Sequence, residues 1–151
     1  MEIRQMQEKD LKQVCKIEKN TFSLPWSYES FFESIKSKDK IYLVAKEDES
    51  VLGYCGLWKS FDEGQITNVA VREENRNRQI GYNMLKTLID YGKMEDMSAF
   101  TLEVRVSNSG AIHLYHKLGF EDVGIRKNYY MKPNEDTLIM WRYEEDKQKI
   151  I

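Results

Sequence analysis

The chain has 151 residues, 41% of them apolar and only two prolines, which suits one packed domain over 1–151 and reads as globular rather than disordered. Lys and Arg number 23 against 25 Asp and Glu, so the formal charge of −2 excludes the basic excess that bulk nucleic-acid binding needs. No run approaches the roughly eighteen apolar residues of a membrane span, and "MEIRQMQEKD" lacks the apolar core of a signal peptide, so a soluble, cytoplasmic protein is expected.

In chain order, "MEIRQM" alternates and predicts a short strand. "EKDLKQVCKIEKNTF" carries Leu11, Val14, Cys15 and Glu18 at helical spacing. "LPWSYESFFESIKS" predicts a second helix, with Ser27 as N-cap and Phe31, Phe32 and Ile35 on its apolar side. Three strands follow, "KIYLVAKE", "SVLGYCGLWKS" and "GQITNVAVRE", joined by polar turns in the manner of an antiparallel meander. "IGYNMLKTLIDYGKM" has the stripe Met84, Leu85, Leu88 and Ile89 of an amphipathic helix. "SAFTLEVRV" is a strand, and "NSGAIHLYHKLGF" is a helix closed by Gly119. "EDVGIRKNYY" and "DTLIMWRYE" are the last two strands. The order β-α-α-β-β-β-α-β-α-β-β predicts an α+β fold, a mixed sheet with helices on both faces.

Cys15 and Cys55 lack CxxC spacing and read as reduced, packed thiols. His113 and His116 lie three apart on one helix without Cys or acidic ligands at suitable spacing, so no metal is expected. Glu18 and Glu29 read as a solvated helix face, with attraction of a basic protein tail as the alternative.

Two segments carry chemistry. After "ITNVAVRE" the chain enters a basic loop with Arg76 and Arg78 and then a helix. First-turn amides have no intrahelical partners and sit at the positive end of the dipole, a ready site for a pyrophosphate. A capped, solvated basic turn is the competing reading, and spacing alone favours it. In "TLEVRV", alternation puts Leu102, Val104 and Val106 on one face and Glu103 and Arg105 on the other. Tyr115 follows on the next helix, on an apolar face where packing is the default.

Together with "PWS" at 25–27, "NVAV" at 68–71, "RNRQIGYNML" at 76–85, "LEVRVSN" at 102–108, "AIHLYHKLGF" at 111–120 and "GIRKNYY" at 124–130, these segments resemble the GNAT superfamily of acetyl-CoA-dependent N-acetyltransferases. The similarity is strongest to its RimI branch, which acetylates the N-terminal alanine of a small-subunit ribosomal protein. The resemblance implies the GNAT fold: a mostly antiparallel sheet splayed between its fourth and fifth strands, with acetyl-CoA in the cleft. By the same resemblance, the backbone of Val69, Ala70 and Val71 would hold the pantetheine arm. Asn77, Arg78, Gln79, Ile80, Gly81 and Tyr82 would cradle the pyrophosphate, and Asn108 would hold the cofactor from the other side. Glu103 is implied as general base and Tyr115 as general acid, with no metal. Trp26, Tyr129 and Tyr130 read either as core aromatics or as lining of a peptide groove. The implied partner is a protein N-terminus, that of a ribosomal protein, with no direct nucleic acid and no membrane.

The implied chemistry is direct acyl transfer to a neutral amine. A peptide α-amine has a pKa of about 7.7–8.0 and a lysine amine about 10.4, so neutralising lysine costs roughly 3 kcal/mol more. One carboxylate suffices for the former. Acetylation of lysine or a small amine, or a non-catalytic CoA-binding module, are the alternatives. One departure stands out: the superfamily pattern Q/R-x-x-G-x-G/A has Gln79 at its first glycine. Positive φ there would cost on the order of 1 kcal/mol, whereas a helical Gln79 would be harmless, and the helical reading is the expectation.

Overall fold

The computed structural model describes residues 1–131 and 134–144, with the side chains of 128–131 and 134 outside that description. Its strands are β1 (Glu2–Gln5), β2 (Lys40–Glu47), β3 (Ser50–Ser60), β4 (Glu63–Val71), β5 (Ala99–Arg105), β6 (Glu121–Met131) and β7 (Asn134–Tyr143). Its helices are α1 (Leu11–Thr21), α2 (Tyr28–Lys36), α3 (Ile80–Met94) and α4 (Ser109–Lys117), with short 3-10 turns at Glu8–Asp10 and Glu73–Asn75. The strands form one sheet in the order β1-β2-β3-β4-β5-β7-β6, antiparallel throughout except for β4 beside β5.

Strand alternation divides the core between two faces. Along β2, Ile41, Leu43 and Ala45 join the cluster containing α3's buried stripe, Met84, Leu85, Leu88 and Ile89. Tyr42 and Val44 point the other way, to Leu11, Val14, Ile17 and Phe31 of α1 and α2. Helices therefore cover both faces, and each fully buried aliphatic side chain contributes roughly 1.5–3 kcal/mol. Ser27 caps α2 by accepting from the Ser30 N–H at 3.1 Å. Gly119, at φ 91°, ends α4: its N–H donates to His116 O and the Phe120 N–H to Tyr115 O, both at 3.0 Å. This left-handed cap brings the Phe120 ring edge-on to Tyr115, with centroids 6.0 Å apart.

The expectation of a solvated face at Glu18 is corrected. Glu18 is only 2% exposed, accepting from the Tyr54 hydroxyl at 2.5 Å and the Trp26 N–H at 3.0 Å. Helical spacing had already put Glu18 on the apolar stripe of α1; a carboxylate is tolerated there because both oxygens find donors.

The feature that shapes the site is the end of the β4–β5 pairing. The two parallel strands are in register only from Glu63–Ala99 to Gln65–Thr101. Immediately beyond, β4 bulges: Leu57 pairs with Ile66 but Gly56 pairs with Asn68, leaving Thr67 as an extra residue. The insertion reverses the face of every later residue. Ile66 lies in the α3-side cluster and so do Val69 and Val71, while Ala70 lies on the α1–α2 side.

Candidate active site

Past the bulge, β4 has β3 on one side and an open edge on the other. The Arg72 N–H donates to Leu52 O at 2.8 Å, making Leu52 and Arg72 a hydrogen-bonded pair. Antiparallel ladders alternate, so Tyr54–Ala70 is also hydrogen-bonded, whereas Gly53–Val71 and Cys55–Val69 are not. The main-chain groups of Val69 and Val71 therefore face away from β3 into the split, and those of Ala70 serve β3. Arg76 Nε occupies the Val71 carbonyl at 3.1 Å, folding its side chain over the end of the strand.

The loop from β4 to α3 delivers the first-turn amides of α3 to the same opening. Its backbone overturns the helical expectation for Gln79, which is the N-cap of α3 at φ 65° and ψ 14°, in the left-handed region. Asn77 is left-handed too, at φ 66°. Asn tolerates this conformation better than Gln does, so the strain concentrates at the position where the superfamily pattern has glycine. The Gln79 side chain makes no cap hydrogen bond to α3, and the first loop-side bond is Asn83 N–H to Gln79 O at 3.0 Å. The amides of Ile80, Gly81 and Tyr82 thus lack intrahelical acceptors. Gly81 lets α4 approach, since a Cβ there would lie 3.3 Å from Leu114. Lys117 of α4 stands over the Tyr82 ring at 5.4 Å. Arg78 forms a half-exposed ion pair with Glu47 at 3.3 Å, of the kind worth little.

On the other side of the split, Leu102 and Val104 are buried, and Glu103 and Arg105 occupy the opposite face. Glu103 lines a cavity of about 410 Å³ with Gln65, Glu63 and Trp58 from β4 and β3, Trp141 from β7 and Arg126 from β6. Arg126 holds the carboxylate, with Nε at 2.9 Å and a terminal nitrogen at 2.7 Å from Oε1. The Glu103 side chain is 19% exposed, sheltered yet reachable. With Arg126 paired to Glu103, the second carboxylate, Glu63, and the two indole rings suit an amine joined to a short chain. Gln65, Trp58, Trp141 and Arg126 have no assigned role in the sequence reading. Alternation marks the outward side of each strand, but that β3, β4, β5, β7 and β6 lie side by side in that order is not legible in a single chain.

Tyr115 does not line this cavity. It is buried in the α3-side cluster, on the opposite face of the sheet from Glu103. Asn108 caps α4, its Oδ1 accepting from the Ala111 N–H at 3.2 Å, which places that helix start beside the end of β5. Trp26 packs against Phe31 and Tyr42 with centroids 5.4 and 6.2 Å away, as a half-buried core aromatic. The side chains of Tyr129 and Tyr130 lie outside the described residues. His116 pairs with Asp122 at 2.7 Å on the surface. Cys55 is fully buried, which pushes its thiol well above the usual range, and Cys15 is raised by partial burial. No helix among the described residues is long and apolar enough to cross a membrane.

Comparison with known proteins fits this geometry. The profile of the Acetyltransferase (GNAT) family matches residues 11–120, from α1 through the bulged strand and the loop to the end of α4. A Bacillus subtilis (strain 168) protein provisionally named ribosomal protein bS18-alanine N-acetyltransferase is 41% identical over 92% of this chain and 93% of its own. The ribosomal protein bS18-alanine N-acetyltransferase of Salmonella typhimurium is 33% identical over 87% of this chain and 89% of its own. The crystal structure of the ribosomal-protein-S18-alanine N-acetyltransferase from Escherichia coli superposes with a TM-score of 0.85 at 28% identity, over 94% of this chain and 92% of that one. The chain that splits its sheet after Gln65 is therefore an N-acetyltransferase of the GNAT family, with acetyl-CoA as its acyl donor.

Proposed function

We propose that the protein acetylates the N-terminal alanine of ribosomal protein bS18 in the cytoplasm by direct transfer, without an acyl-enzyme. The observation that carries the reading is Glu103, a carboxylate oriented by Arg126 in a cavity that opens where β4 and β5 part. The names borne by relatives of similar length supply the substrate.

Acetyl-CoA supplies an acyl group already activated as a thioester. The residues on the β4 side of the split fit its arm and its pyrophosphate: the outward main chain of the strand for the one, the first-turn amides of α3 for the other. Val69 and Val71 would hold the arm through their main chain, with Ala70 keeping that strand on β3. Asn77, Arg78, Gln79, Ile80, Gly81 and Tyr82 would surround the pyrophosphate, and Asn108 would stand at the α4 side. Glu103 accepts the proton of the incoming ammonium, directly or through one water, leaving the neutral nitrogen to attack. Tyr115, approaching from the α4 face, donates the proton that the departing sulfur needs. Trp58 and Trp141 flank the first residues of the substrate. Such a site favours an α-amine, whose proton one carboxylate removes at neutral pH, over lysine, which costs roughly 3 kcal/mol more.

The test is a panel at equal concentration: a peptide with the bS18 N-terminal sequence, the same peptide with its α-amine blocked and an internal lysine present, and spermidine. Acetylation confined to the free α-amine supports the reading; preference for lysine or spermidine overturns it.

A further inference from the structure

Tyr42 is a β2 residue with a contact two strands away. Its partner on β3 is Gly56, and Gly56 is in turn the partner of Asn68 on β4. The ring lies across Gly56: a Cβ there would come within 2.2–2.5 Å of three ring carbons, so only glycine leaves the path open. Having crossed β3, the hydroxyl donates to Asn68 Oδ1 at 2.9 Å and meets Thr67 Oγ1 at 2.9 Å. A phenol has one proton, so with that proton on the Asn68 bond, Thr67 donates to the phenol oxygen. These are the extra residue of the β4 bulge and the residue after it. Tyr42 and Asn68 are both 4% exposed. Burial pushes the Tyr42 phenol up to about 12, so the donor keeps its proton at any working pH.

We infer that Tyr42 is a positioning residue for the acyl donor: its hydroxyl, reaching over Gly56, pins the Thr67–Asn68 bulge that turns the main chain of Val69 and Val71 into the split. Removing the bulge would shift the parity of the strand by one, directing the groups of Ala70 into the split instead. The ring and the hydroxyl have separable duties. The ring packs against Trp26 and Phe31 on the α1–α2 side, while the hydroxyl reaches Thr67 and Asn68 of the bulge and also meets Ser34 of α2. Tyr42→Phe therefore removes the pin and keeps the packing, leaving the Asn68 carboxamide without its buried donor.

The inference rests on Val69 and Val71 forming the donor's binding edge, and the experiment separates the two ideas. Acetyl-CoA binding is measured by calorimetry, and amide exchange of residues 68–71 is followed by NMR with and without acetyl-CoA. In the unaltered protein, slowed exchange of the Val69 and Val71 amides on adding acetyl-CoA supports the binding edge; no slowing overturns edge and pin together. Given that edge, Tyr42→Phe is expected to weaken acetyl-CoA binding about fivefold or more, with peptide KM within twofold. A lowered melting temperature with unchanged acetyl-CoA affinity would make the hydroxyl merely structural and overturn the pin. Thr67→Val, which removes the second partner of the hydroxyl at an exposed position, should shift affinity in the same direction, and no shift there counts against the pin.

Discussion

On the β4 side of the split, what the protein offers a ligand is main chain: two strand residues turned outward by a bulge, and the first amides of α3. Around Glu103 of β5 it offers side chains: Glu103 held by Arg126, with Trp141 from β7 and, reaching in from β3 and β4, Trp58, Gln65 and Glu63. Under the proposed function, the contrast follows from what each region would recognise. A phosphate-bearing donor would be bound there through groups that every residue possesses, so the sequence would be free to vary provided the backbone conformation survives. An amine that must lose a proton needs a particular carboxylate, and the first residues of one protein need particular walls. Substitutions in the cavity around Glu103 should therefore act on turnover and peptide recognition, and those at the outward edge of β4 and the start of α3 on stability and donor affinity.

The largest expected effect belongs to Glu103, the proposed base. Glu103→Gln should lower kcat by roughly 10²-fold or more while acetyl-CoA affinity by calorimetry stays within twofold. Equal losses in both would erase the division between the sides, and an unchanged kcat would remove Glu103 from the chemistry. Next comes a wall of the cavity. Trp58→Ala should raise peptide KM about fivefold to tenfold and leave the KM for acetyl-CoA alone. If the donor KM moved instead, Trp58 would belong to the donor side. The smallest effect is expected in the loop. Gln79→Gly relieves a left-handed non-glycine residue, so it should raise stability by about 1 kcal/mol, a few degrees in Tm. Acetyl-CoA affinity should change less than fivefold, because glycine adopts the same left-handed conformation and keeps the α3 amides where they are. A tenfold gain would mean that the strain is specific to the bound loop.

Much of the fold was legible because local patterns and final packing agree: the α3 stripe is buried throughout, Ser27 caps α2 and Gly119 closes α4. The split itself was readable only through resemblance, since nothing local in "QITNVAV" announces that pairing with β5 stops at Gln65. Glu18 was misread because charge was weighed above helical phase, and its donors Tyr54 and Trp26 are distant or non-helical. Gln79 was misread for the opposite reason. A glutamine argues against positive φ on intrinsic preference, and tertiary placement of the loop overrode that preference at modest cost. The cavity walls were invisible because they come from five strands whose lateral order departs from chain order.

The most direct test of the account is a crystal structure with CoA bound. It should show the pyrophosphate on the amides of Ile80, Gly81 and Tyr82, the arm along the main chain of Val69 and Val71, and the sulfur between the Glu103 and Tyr115 faces of the split. CoA bound elsewhere, or bound here through the Arg76 and Arg78 side chains with the strand edge untouched, would contradict it.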